Sequence, residues 1–461
     1  MTLDSDPTRE PAHDATGDQA APSGPPSSDP PSSDPSSAPS DPTPDLLPGV
    51  LVGHDTDTEG LTGVTVVLLP EGSTAGVDVR GAAPGTRETD LLDPVNTIET
   101  AHAVVLAGGS AFGLASASGV MRWLAEQGRG VLVGPVRVPI VPAAVVFDLL
   151  VGDPTAYPDE SAGYRACAAA VPLGRSDQGK ARHQGNAGDQ GGHVGDQGNI
   201  GEQGNVGAGT GASVGKLLGP DRAMRGGLGI AVRAAAGITI AAVVVVNAVG
   251  DVVDPADGTL LAGARPTPDT VDPVGALRVL LGTVAPPPPG PPRPAPPRPG
   301  AQTLQNAAES PVQTGDSDTD RRGGGTGGRI EAEVSSGSGG RIEAEPGGAT
   351  TIGVLVTDAR LTKSQATRLA QVAHDGLART IVPVHTPMDG DTLFVAGTGT
   401  AAGTGTAAGT GTAAAPVADL TLLSILAAEV TAEAVLAAIR SAEGLRIGDV
   451  WLPAWRDRHP R

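Results

Sequence analysis

The stretch EPGGATTIGVLVTDARLTKSQATRLA (residues 345–370) decides how the rest of the chain is read. It leaves Gly347 and Gly348, passes Ala349, and runs from Thr350 to Thr357 through mostly β-branched and aliphatic residues. Such a short apolar run, rich in Thr, Ile and Val, predicts a buried strand. Thr362, with Gln365 three residues on, makes a capping box that opens a helix predicted to reach Leu377. Two threonines therefore stand at the mouth of a strand, directly after a long tract built from Pro, Gly and Ser.

Outward from this unit the same alternation recurs. GVTVVLLP (63–70) and AGVDVRG (75–81) read as strands closed by Pro and Gly. HAVVLAGGSAFGLASASGVMRWLAEQG (102–128) reads as a buried strand, a glycine turn and a helix with Leu114, Val120, Met121 and Leu124 on one face. GITIAAVVVVNAVGDVVD (237–254) is a long apolar strand or strand pair ending in a turn, and LLSILAAEVTAEAVLAAIRSAEG (422–444) is a final helix stopped at Gly444. Strands alternating with helices define an α/β or layered α+β class.

Between these elements lies chain that cannot be core. Of 461 residues, 39% are hydrophobic, 8 are aromatic, 67 are Gly and 43 are Pro. Residues 1–44, about 175–203, 284–349 and 396–415 lack periodic apolar faces and are expected to be a disordered tail and low-complexity inserts, because they bury too little to offset their ordering entropy. Within them a Gln-Gly unit recurs, GGRIEAE occurs twice and GTGTAA three times. None has a three-residue glycine register or the length of a solenoid, so they read as insertions into surface loops. Subtracting these segments leaves roughly 300 residues, room for one large domain or two small ones.

Charge and cysteine content narrow the function. The net charge is −20, and the first 44 residues carry eight Asp or Glu against Arg9 alone. No Lys/Arg cluster occurs outside PPRPAPPRPG, which argues against nucleic acid as a partner. The single cysteine, Cys167, allows neither an intrachain disulfide nor a Cys-type metal site. The N-terminus has no apolar signal segment and no run of eighteen apolar residues occurs, so no membrane partner and a cytoplasmic location are expected.

Several motifs invite chemistry. Gly108, Gly109, Ser110 and Gly113 lie between a strand and a helix and could hold an anion on their amides, but their spacing fits neither a dinucleotide loop nor a nucleophile elbow; close strand–helix packing accounts for them. GTGASVGKLLG resembles a P-loop, yet Thr210 stands where the first Gly is needed and Leu217 where Ser or Thr would hold Mg²⁺. Asp389 and Asp391 flank Gly390, so in extended geometry both carboxylates face one side; a turn with solvated acids is the plainer alternative. At Thr350 the plain reading is a β-branched residue in a strand. The chemical reading is a threonine whose own α-amino group, with an ordinary pKa near ~8, serves as base once the peptide before it is cut.

The blocks LLPGVLVGHDTDTEGLTGVTVVLLPEG, GVDVRGAAPGTRETDLLDP, HAVVLAGGSAFGLASASGVMRWLAEQG, VPIVPAAVVFDL, GNVGAGTGASVGKLLG, VVVVNAVGDVVDP and TTIGVLVTDARLTKSQATRLAQVAHDGLARTIVPVHTPMDGDTLF together resemble the P1 peptidase family, also called the L-aminopeptidase/D-esterase (DmpA) family, which includes β-aminopeptidases and nylon-oligomer amidases. The resemblance implies a four-layer αββα sandwich of the N-terminal-nucleophile type. It implies one domain, residues 45–461, that cuts itself between Ala349 and Thr350 into chains 1–349 and 350–461, which stay together. It places the nucleophile at Thr350, with Thr351 one residue away as the alternative. It gives Asn247 an oxyanion role, puts Lys216 in the pocket beside the Asp389–Asp391 pair and able to orient the Thr350 hydroxyl, and calls for no metal or organic cofactor. Small amides or short peptides with a free amino group are the implied substrates, and a homo-oligomer of αβ pairs the implied assembly. Two departures from the family pattern are visible: Ala349 rather than Asn precedes the threonine, and Phe147 stands where some relatives have tyrosine. An acyltransferase using the same acyl-enzyme, and an uncut binding scaffold, are the rival functions.

Overall fold

A strand buried on both faces cannot alternate polar with apolar residues, and the longest strand of this protein, ITIAAVVVVN, does not. Its two faces belong to different cores, which fixes the layer order. The computed structural model describes residues 46–174, 201–282, 348–401 and 419–459. Residues 1–44 and most of the low-complexity repeats fall outside them.

In chain order the first half supplies β1 (Leu51–Asp57), β2 (Thr62–Leu68), β3 (Thr74–Val79), β4 (Thr86–Arg87), β5 (Ala103–Ala107), α1 (Ser116–Glu126), β6 (Ala143–Val145), α2 (Glu160–Ala168) and β7 (Val171–Pro172). The second half supplies β8 (Gly227–Ala235), β9 (Ile238–Asn247), β10 (Thr350–Thr357), α3 (Lys363–Thr380), β11 (Thr392–Gly397) and α4 (Leu420–Ser441). Of the two large sheets, one has six strands in the order β4-β6-β5-β2-β1-β7 and the other five in the order β8-β9-β10-β11-β3. Strand β10 pairs antiparallel with β9, Thr350 opposite Asn247, and parallel with β11.

Alternation sorts the side chains into three cores. Val52, Val67, Val104 and Leu106 of the first sheet meet Ala241, Val243, Val245, Ile352, Val354 and Val356 of the second. The opposite face of the first sheet, with Val64, Val66, Val105 and Ala107, packs on Ala117, Val120 and Leu124 of α1 and Ala162 and Ala166 of α2. The opposite face of the second, with Ala242, Val244, Leu355, Leu393 and Val395, packs on Leu369, Ala373 and Leu377 of α3 and Val430, Ala434 and Val435 of α4. The result is the four-layer αββα sandwich, two sheets face to face with helices outside each.

The local expectations hold with small shifts. Thr362 and Gln365 form the capping box, and α3 continues past Leu377 to Thr380. The final helix ends at Ser441, before Gly444. Val120 and Leu124 of α1 are buried with Met121 beside them, while Leu114 packs against them from the 3-10 turn that precedes the helix. The edges of the low-complexity segments move: Ala396 and Gly397 are buried strand residues of β11, Gln203 accepts from the Ile230 amide (2.9 Å), and Ala349 is buried in a bridge to Asp389. By length and composition α4 could cross a membrane, but half of its apolar window is buried inside the molecule, as in a core helix.

Candidate active site

Period-two alternation puts Thr350 on the same face of β10 as Ile352, Val354 and Val356, between the two sheets, and Thr351 on the face toward the outer helices. By the same rule Asn247, opposite Thr350, shares the inter-sheet face with Val243 and Val245. Thr350, Thr351, Asn247, Asp389 and Asp391 are all buried. The sequence candidates therefore converge at the entrance to one central strand.

The backbone just before that strand is unusually well supplied with donors. Lys216 Nζ donates to the Gly348 carbonyl (2.6 Å), to Asn247 Oδ1 (2.7 Å) and to the Asn247 carbonyl (3.1 Å). The Thr350 hydroxyl donates to the Ala349 carbonyl, which also receives the Gly390 amide (3.3 Å). Lys216 thus points at the strand entrance and at Asn247. Asn247 is fixed at both ends, Oδ1 accepting also from the Ser213 amide (3.0 Å) and Nδ2 donating to the Phe147 carbonyl (2.9 Å). Phe147 thus contributes its backbone where its ring can donate nothing.

The two aspartates lie together but diverge in their contacts. Asp391 Oδ1 accepts the Thr351 amide (2.6 Å), and Oδ2 accepts the backbone amide (3.2 Å) and ring Nδ1 (2.8 Å) of His385. Asp389 Oδ2 accepts the amide (2.8 Å) and hydroxyl (2.6 Å) of Thr386, and Oδ1 faces the Val249 amide (3.4 Å). They are not the solvated acids of an ordinary turn. Burial first, and the neighbouring Asp391 charge second, push the Asp389 carboxyl above its usual range, against the pull of Thr386. Burial lowers the Lys216 ammonium to about 7, although Asp389 and Asp148 draw it upward.

Asp148 is the charged neighbour that sequence reasoning overlooked. Its buried carboxylate accepts the Thr62 hydroxyl (2.8 Å) and the Gly109 amide (2.6 Å), and burial raises its pKa. This contact settles the first glycine turn: Gly108 donates to the Gly63 carbonyl (2.8 Å) and Ser110 to the Val146 carbonyl (3.0 Å), so its amides are taken by protein. His385 and Thr386 were also passed over, though both stand in the quoted block HTPMDGDTLF. The P-loop-like segment forms no phosphate cradle, since the Gly215 and Lys216 amides donate to Gly250 and Val249. Among the described residues no group of three or more His, Cys, Asp or Glu side chains is disposed to hold a metal.

Two sheets face to face with helices outside each place the molecule in the αββα sandwich class, the layer order of solved aminopeptidases of the Ntn hydrolase fold. The model of peptidase family S58 matches residues 45–449, and the chain belongs to that family. It is 38% identical over 402 residues to an uncharacterized aminopeptidase of Mycobacterium tuberculosis (H37Rv), covering 86% of this chain and 90% of the relative. It is 29% identical over 351 residues to a 6-aminohexanoate-oligomer endohydrolase of Paenarthrobacter ureafaciens, covering 76% and 73%. Among solved structures, the L-aminopeptidase D-Ala-esterase/amidase of Ochrobactrum anthropi, described as a variant of the Ntn hydrolase fold, matches with TM-score 0.51 at 17% identity over 88% of this chain and 89% of that one. A Burkholderia sp. β-aminopeptidase matches with TM-score 0.50 at 21% identity, covering 88% and 89%. Family and relatives make this protein an aminopeptidase or amide hydrolase of the DmpA type.

Proposed function

We propose that the protein is a self-processing N-terminal-nucleophile amide hydrolase in which Thr350 first cuts its own chain and then attacks substrate. The observation that carries this reading is the Thr350 hydroxyl lying against the Ala349 carbonyl while the Gly390 amide donates to that same oxygen. In the cut, Thr350 Oγ1 bonds to the Ala349 carbonyl carbon, the carbon–nitrogen bond breaks, and the hydroxyl proton passes to the departing nitrogen. Water then hydrolyses the resulting ester, leaving an Ala349 carboxylate and a free Thr350 amine and hydroxyl. The Gly390 amide offsets charge developing on the carbonyl oxygen, and Lys216, held on the preceding carbonyl, adds a positive field at the same place.

After cutting, the α-amine of Thr350 takes the hydroxyl proton as base, and the nearby Asp389 and Asp391 charges raise its basicity. Asn247, opposite Thr350 in the ladder, is the side-chain donor for the oxyanion of a substrate carbonyl. The acidic surroundings suit small amides or short peptides carrying a free amino group, in keeping with the aminopeptidase names of the 38%-identical relatives. The chemistry needs no metal or organic cofactor. Intact mass of the purified protein tests the reading: two chains are expected, the smaller beginning at Thr350, and Thr350→Ala should remain one chain without amidase activity. An uncut parent that still hydrolyses amides, or a Thr350→Ala variant that cuts, would overturn it.

A further inference from the structure

Each aspartate of the pair is held by one residue of the dipeptide His385–Thr386, and each of those residues uses both its backbone amide and its side chain. His385 gives N–H and Nδ1 to Asp391 Oδ2; Thr386 gives N–H and Oγ1 to Asp389 Oδ2. Only Asp391 reaches the strand that starts at Thr350, through the Thr351 amide on its other oxygen. Two donors from one residue on one oxygen fix the carboxylate's rotation, and that rotation decides whether the other oxygen faces the strand.

Three observations indicate that His385 is held in place for this purpose. Its φ is +56°, in the left-handed region that a residue with a Cβ enters only at a cost. Its partly buried ring pairs with Asp391 through Nδ1 and meets the buried His374 ring edge-on, centroids 4.9 Å apart. His374 is itself tied to the Asp78 carbonyl (3.1 Å), and burial keeps its pKa down, at about 4, so it stands as a neutral wall. In the His385–Asp391 pair Nδ1 is the ring nitrogen facing the carboxylate, while Nε2 is buried without a partner among the described residues. The ring is thus used for a single contact.

From this geometry we propose that His385 is a positioning residue, fixing Asp391 so that its second oxygen holds the first peptide unit after Thr350 in register. This inference rests on the self-processing reading above and names a residue on which the cut depends. The test compares three variants of the full chain, following precursor cutting on gels after expression under conditions that slow it. His385→Asn can place an amide N–H where Nδ1 stands and should cut within about fivefold of the parent. His385→Gln, whose donor lies one methylene further out, and His385→Ala should cut about a hundredfold more slowly, the loss that a displacement of about 1 Å brings. Thermal melts report folding separately, and the Asn-to-Gln ratio remains informative should the Ala variant be unstable. Folded Gln and Asn variants cutting at equal rates, or an Ala variant cutting like the parent, would overturn the proposal while leaving Thr350 in place. A parent that never cuts would instead remove the reading on which the proposal rests.

Discussion

At Gly108–Gly109 and at Gly348–Ala349 the backbone passes a buried acid on its way between a loop and a core element, and the two places are finished differently. At the first, the amides donate to Gly63, Asp148 and Val146, and the carboxylate of Asp148 is used up by Thr62 and Gly109. At the second, it is the carbonyls that are approached, by an ammonium, a hydroxyl and an amide. Satisfying a buried carbonyl takes one neutral donor; a desolvated lysine there costs free energy that packing does not require. On the proposed reading, the surplus of donors, rather than glycine content or burial, separates a turn that closes a fold from a peptide arranged to react.

Removing that surplus should produce the largest effect. Lys216→Met keeps an unbranched side chain one atom shorter and withdraws the donors from Gly348 and Asn247; cutting should slow by about 10²- to 10³-fold, read on gels, with the melting temperature little changed. The contrast breaks if Asp148→Asn, which serves the other turn, slows cutting as much. The same substitution at two glycines comes next. Gly390→Ala puts a Cβ 2.5 Å from the Ala83 carbonyl and 3.0 Å from Thr350 Oγ1, so the Gly390 amide must shift from Ala349, and cutting should slow by about tenfold. Gly109→Ala meets Tyr157 Cβ at 2.5 Å with φ at +77°, which should lower stability in urea by about 1–2 kcal/mol and leave cutting by folded protein unchanged.

The electrostatic link between the two turns gives a smaller, signed effect. The folded pKa of Lys216, about 7, is below its ordinary 10.5, so between these values the unfolded chain binds more protons and the lysine's contribution to stability increases with pH. Urea midpoints of the Thr350→Ala precursor should therefore rise more from pH 7 to 10 than those of Thr350→Ala/Lys216→Met. Asp148→Asn removes a charge that holds the lysine's pKa up, so this rise should begin at lower pH. The smallest effect is expected at Thr351, whose buried hydroxyl has no partner among the described residues. Thr351→Val should leave cutting before residue 350 intact and change stability by about 1 kcal/mol or less, read by denaturation.

Strand and helix order was legible in the sequence because doubly buried strands and capped helices leave local marks: ITIAAVVVVN, and Thr362 with Gln365. The partition of β9 and β10 between two cores was not, since Val244 and Val245 are chemically alike and only sheet stacking tells their faces apart. At the site, the Asp-Gly-Asp spacing drew notice to the acids, while Asp148 and His385 sat unremarked as a lone acid and a scattered histidine. Their roles arise from contacts spanning 39 residues to Gly109 and 6 to Asp391, made by loops whose paths no periodicity encodes.

The strand order of the second sheet has a mechanical corollary. In β8-β9-β10-β11-β3, the two strands that follow Thr350 in sequence are flanked on both sides by strands that precede it. A break in the backbone before Thr350 would therefore free no lobe. The C-terminal fragment would remain wedged in the middle of the sheet, laced along β9 on one side and β3 on the other, and could leave only by unzipping both seams at once. Such a nick alters covalent connectivity without loosening the body, so a severed molecule should melt as a single unit.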